Sequence, residues 1–157
     1  MRKRLITSTA ETIGTGGGGW LDVERAAVVE VTSEDQGFTA ESAFVSGDSP
    51  GWRAATPGTQ TIRLFFDQPQ KLKLISLMFE ENEIVRTQEF VLQRSPDGGF
   101  SFRQMVRQQW NFSPPESTRE TEEYQVDLSN VTILELVINP NISGGLARAS
   151  LKNLRLC

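Results

Sequence analysis

The feature that most constrains this chain is its hydrophobic rhythm: apolar residues recur at every second position, in short runs, and almost never at helical spacing. Ile62, Leu64 and Phe66 share one parity, as do Tyr124, Val126 and Leu128, then Leu134, Leu136 and Ile138, then Ala147, Ala149 and Leu151. Successive side chains of a strand point to opposite faces, so each run reads as a strand with one buried face. Turn formers separate the runs: Asp67-Gln68-Pro69-Gln70, Ser95-Pro96-Asp97-Gly98-Gly99, Ser113-Pro114-Pro115, Asn139-Pro140-Asn141 and Gly144-Gly145. No segment sustains an amphipathic helix beyond about three turns of the 3.6-residue period.

The expected strands begin at residues 27–31, where Ala27, Val29 and Val31 alternate, and resume at 61–66 after a long irregular stretch. Asp67 to Gln70 is expected to turn the chain into a second strong strand over 71–79. The apolar phase there slips between Leu74 and Ile75, which predicts a bulge or burial on both faces. A tight turn at 95–99 joins a strand over 89–94 to a long one, in which Phe100, Phe102, Val106, Trp110 and Phe112 share a parity. Seven to nine such strands make an all-β sandwich or barrel.

The 157 residues suit one domain. Residues 1–22, rich in glycine, are expected to form a flexible arm, and 23–157 a single β-sandwich. Gly14 to Gly19 spell a G-x-G-x-x-G with Glu34 downstream, but no βαβ unit follows, so a linker is the better reading. The basic start Met1-Arg2-Lys3-Arg4 lacks the apolar stretch of a signal peptide, and no segment is long enough to span a membrane. A cytoplasmic location is therefore expected.

The sequence contains no histidine and a single cysteine, Cys157. This removes the usual general base, the usual zinc ligand and any internal disulfide. The net charge of −4, without a Lys/Arg stripe, argues against nucleic acid as partner. Glu116, Glu120, Glu122 and Glu123 read as a solvated acidic loop, with nothing around them to suggest a raised pKa. No enzymatic activity is expected.

Four stretches in fixed order carry a resemblance: Ser46-Gly47-Asp48-Ser49-Pro50-Gly51-Trp52-Arg53-Ala54, then Gln60 to Phe66, then Arg86 to Gly98, and finally Ala149 to Leu156. Together they resemble the discoidin (coagulation factor type C) domains of the galactose-binding-like superfamily, over about residues 23–157. The resemblance implies a jelly-roll β-sandwich of about eight or nine mostly antiparallel strands. It also implies a non-catalytic module that binds its ligand, a carbohydrate before all, through loops at one end. An intracellular protein-interaction or scaffold domain of the same fold is the alternative, so the partner is a glycan or a protein.

Relatives often hold a structural calcium with an aspartate in the Asp-Gly loop and a glutamate in the last strand. Here Asp48 is the nearest acid in that loop, and Asn153 stands near the position of the glutamate. Both changes lower the charge offered to a hard cation, so the expectation is no bound cofactor, with a calcium at the Asp48 loop as the alternative. The resemblance places an arginine at the sugar, and Arg86 is the nearest match. Glu81 and Asn141 supply planar or charged groups for paired hydrogen bonds with hydroxyls, and Trp110 a face for stacking. Trp52 reads as a core anchor.

Overall fold

The computed structural model describes residues 19–45 and 47–157. The sequence readings for Gly14 to Gly19, Ser46 and most of the expected arm fall wholly or partly outside these residues. A one-turn helix α1 (Val23–Ala26) leads into β1 (Ala27–Val31), and a 3-10 turn (Ala40–Ala43) interrupts the irregular stretch that follows. The remaining strands are β2 (Trp52–Arg53), β3 (Gln60–Glu80), β4 (Arg86–Ser95), β5 (Arg103–Phe112), β6 (Arg119–Asn139), β7 (Ser150–Leu151) and β8 (Asn153–Leu156). The main sheet runs β1-β3-β6-β4-β5, with β8 also on β3, and β2 pairs with β7 separately. All these strand pairs are antiparallel.

Two long strands build the sandwich by serving both layers. The first half of β3 pairs with the second half of β6 (Ile62 with Leu136), and its second half with the first half of β6 (Leu77 with Glu122). Residues 67–70, expected as a turn, are instead strand. Between them the register slips: β3 advances from Phe65 to Gln70 while β6 moves only from Ile133 to Val131. The extra residues bend β3 around the corner without ending its pairing, and Pro69 is tolerated there because a bulge needs no ladder N–H. On β6 the same corner holds Asn130 at φ 56°, a left-handed conformation asparagine accepts more readily than most residues. The bulge expected at Leu74–Ile75 falls just short of the mark: the last of three slips lies between Leu72 and Leu74, and Leu74 and Ile75 pair in register with Gln125 and Tyr124.

The layers close on an apolar core that includes Ile62, Leu64, Leu77, Phe79, Phe90, Leu92, Leu134 and Leu136, all nearly or fully buried. Phe79 of one layer stacks on Phe90 of the other at 5.2 Å between ring centroids. Trp52 is buried and its indole N–H donates to Ser33 O at 2.9 Å, so burial leaves no unpaired donor. Phe100 departs from the expected core parity: it is 94% exposed, because β5 begins only at Arg103 and Asp97 ties the hairpin tip to Ser101. At the N-terminal side Leu21 N donates to Leu156 O at 2.6 Å, and Arg155 lies over the Trp20 ring.

Candidate functional site

Because β3 and β6 fold over, residues 81–85 (between β3 and β4) reach the same end as the segments before β2 and after β6. Glu81 N donates to Thr118 O, tying this loop to the segment before β6, and Ile142 N donates to Thr87 O, tying the segment after β6 to β4. Between them opens a cleft of about 530 Å³. One wall is Phe38, Arg53 and Arg148; the other is Glu80, Asn82, Glu83 and Ile84, with Lys152 and Ser150 also lining it. Gly51 sets the approach of one wall. Its φ is +81°, and a Cβ there would lie 2.7 Å from Leu151 O, a closeness only glycine permits.

Asp35 organises the cationic wall. Its Oδ2 accepts from Arg53 Nη2 at 2.7 Å, Arg53 Nε at 3.1 Å and Arg148 Nη1 at 3.2 Å. The hydrogen bond from Arg53 is the main reason its carboxyl is held below the usual range. The Arg53 guanidinium also lies 4.1 Å above the Phe38 ring, which fixes its plane.

Arg86 and Glu81 meet, but not as a surface fork. The Arg86 side chain is 1% exposed; its Nε donates to Glu81 Oε1 at 2.6 Å and its Nη1 to Pro140 O at 2.8 Å. The guanidinium also rests 4.8 Å from the centre of the Phe112 ring. Glu81 accepts further from the backbone N–H of Glu83 and Ile84. Burial alone would raise this carboxyl; the bond from Arg86 and the two backbone donors outweigh it and hold it low. The pair thus braces the 81–85 loop from below. Asn141 lines a second hollow of about 250 Å³ beside Pro140 and Gly58, away from the main cleft. Trp110 is half-buried on β5, opposite Gln88, with its indole nitrogen buried and unpaired among the described residues.

A polar cluster lies between the layers behind this brace. Gln88 Nε2 donates to Glu120 Oε1 at 3.1 Å, and Glu120 Oε2, Tyr124 OH and Arg86 Nη2 are buried without a partner among the described residues. Glu116 does lie in an exposed turn, but Glu120, Glu122 and Glu123 are on β6, and alternation turns Glu120 inward, where it is fully buried. Desolvation, reinforced by the neighbouring Glu122, raises its carboxyl to about 8. Desolvation likewise raises the Tyr124 hydroxyl, with Glu122 and Glu120 adding to it.

The calcium that the resemblance implies does not fit these residues. Asp48 is exposed, and the Asn153 amide donates to Ala43 O at 3.2 Å and Val45 O at 3.1 Å, so an N–H donor engages the loop carbonyls a cation would need. Among the described residues no three acidic, histidine or cysteine side chains gather into a metal site.

Sequence reading missed Phe38, Arg53, Arg148 and Lys152. Parity could have placed two of them: Trp52 inside puts Arg53 outside, and Ala147 and Ala149 inside put Arg148 outside. Their meeting at Asp35 had no local signal.

The fold and its loop-end cleft are those of a jelly-roll β-sandwich domain. No protein-family profile matches the sequence, and no curated protein does. Solved structures do share the fold. The family 32 carbohydrate-binding module of Clostridium perfringens NanJ, in complex with galactose, superposes at TM-score 0.64 with 12% identity, covering 87% of this chain and 96% of that one. A second Clostridium perfringens module, in complex with GalNAc-beta-1,3-galactose, gives TM-score 0.64, 18% identity and coverage of 87% and 98%. The family 32 module of AlyQ, in complex with 4,5-unsaturated mannuronic acid, gives 0.60, 15%, and coverage of 84% and 95%.

Proposed function

We propose that this chain is a non-catalytic carbohydrate-binding module and that the 530 Å³ cleft receives the sugar. The observation that carries this reading is the composition of the cleft: an aromatic ring, Phe38, beside two planar guanidinium groups, facing amide and carboxylate groups across a gap open to solvent. Sugar hydroxyls demand in-plane donors and acceptors, and C–H faces demand an aromatic edge or face. The solved structures of the same fold that are named for bound galactose and uronic acid support it. Glu120, the acid with the raised pKa, is buried between the layers and not in the cleft, which supports binding without hydrolysis.

The test is a glycan array carrying neutral and acidic sugars, on the folded protein alongside Phe38→Ala. Selective retention of one glycan class, lost in the variant, is the expected result; a blank array from folded protein overturns the reading. A protein-binding module is the second reading, favoured by Ile84, Val85 and Leu146, exposed by 44%, 72% and 85%. Val85→Asp separates the two, since it leaves glycan retention unchanged and abolishes capture of a protein partner.

A further inference from the structure

The charges of the cleft do not cancel locally, and their imbalance names a class of ligand. On one wall the single carboxylate of Asp35 serves both Arg53 and Arg148. Among the described residues Arg53 Nη1 and Arg148 Nε and Nη2 have no protein acceptor, so the pair keeps a net positive charge and spare N–H donors. Both side chains are about two-fifths exposed (42% and 43%), while Phe38 and Asp35 fix the Arg53 plane. Lys152 adds a third cation to the lining, 3.9 Å from Glu80.

On the other wall the carboxylates are mostly spent. Glu81 is bound by the buried Arg86 at 2.6 Å and Glu80 by Arg119 at 2.5 Å. Glu83, exposed on the loop, has no cation partner among the described residues. The cleft is therefore polarised, with a cationic wall at Arg53 and Arg148 and an acidic lip at Glu83. A ligand bearing one carboxylate fits this in one orientation: the carboxylate faces the arginines, and the hydroxyls face Asn82 and Glu83.

Resting on the carbohydrate reading above, we propose that the glycan is acidic, a uronic-acid-containing chain whose carboxylate is received by Arg53 and Arg148. Arg148 is the discriminating residue, because Arg53 is also engaged by Phe38.

The experiment is calorimetric titration of the full chain with trigalacturonic acid and with its fully methyl-esterified form, with the neutral glycan array run in parallel. The acidic form is expected to bind at least about tenfold more tightly, the ordinary worth of a charge-assisted hydrogen bond. Arg148→Gln is expected to remove most of the difference, weakening the acid far more than the methyl ester. Arg148→Lys, which keeps the charge but loses the planar fork, is expected to retain only part of it. Equal or tighter binding of the ester, or a preference undiminished by Arg148→Gln, overturns the acidic assignment. Neutral sugars retained on the array would then leave the carbohydrate reading standing. Silence of the titration and of the array together, from folded protein, overturns both.

Discussion

Gln88 on β4 and Glu120 on β6 meet across the interior of the sandwich, the amide donating to the carboxyl at 3.1 Å from the opposite layer. Glu120 has no solvent exposure, and Glu122 stands beside it on the same face. A carboxylic acid placed there is more stable protonated than charged.

Stability should therefore fall as pH rises. The folded-state pKa of about 8 lies above the ordinary value of 4.5, so the stabilisation is complete below about 4.5 and is lost progressively as pH approaches and passes 8. The loss is on the order of a few kcal/mol. Glu120→Gln, neutral at every pH, should flatten the dependence and be the more stable protein at pH 8 to 9. Urea denaturation from pH 5 to 9 measures both; parallel curves for the two proteins would refute the assignment.

Arg86 should matter for stability before it matters for binding. Arg86→Met leaves Glu81 without its cation and Pro140 O without its donor. Breaking a buried pair from one side costs about 3–5 kcal/mol, whereas removing both charges costs less. The double change Glu81→Met with Arg86→Met should thus recover part of the loss in chemical denaturation. A single-variant loss below about 1 kcal/mol would show the brace to be idle.

Gly51→Ala should loosen the cleft. The added Cβ would press on Leu151 O and on Lys152 Cα, at 2.7 and 2.8 Å, in a backbone conformation that side chains resist. A loss of at least about 1 kcal/mol is expected, with weaker ligand binding because Pro50 and Lys152 both line the cleft. Thermal melts and titration of the same sample check the two effects together.

Metal removal should leave the fold untouched. The Asn153 amide engages the Ala43 and Val45 carbonyls, so EDTA and excess calcium should give the same melting temperature. Asn153→Ala, which leaves those carbonyls without a donor, should cost about 1–3 kcal/mol. A calcium-dependent rise in melting temperature of the unaltered protein would contradict this account.

The class of fold was legible because alternation is local. Ile62, Leu64 and Phe66 announce a half-buried strand from their own spacing, and the Ser95 to Gly99 turn announces a hairpin. The same logic fixes which residue of a pair faces outward, Arg53 beside Trp52, or Arg148 between two buried alanines. It misled at residues 67–70, where turn-forming residues lie in a bulge that the pairing of β3 with β6 carries through. It misled again at Phe100, whose parity matched the core but whose strand had not yet begun.

What alternation cannot supply is the partner on the far side. Arg148 and Asp35 are 113 residues apart in the chain and share a hydrogen bond only because the ends of the sandwich are drawn together. Arg86 looked like a surface fork because it follows a polar loop, yet the β4 register turns it inward onto Phe112. Glu120 looked solvated within an acidic run, yet the folding-over of β6 sets it opposite Gln88. The sequence by itself determined the strands and their faces, since these follow from backbone geometry at each position. The tertiary structure alone decided which charged groups are buried, paired or left open to a ligand, because that depends on residues brought together by register and not by spacing.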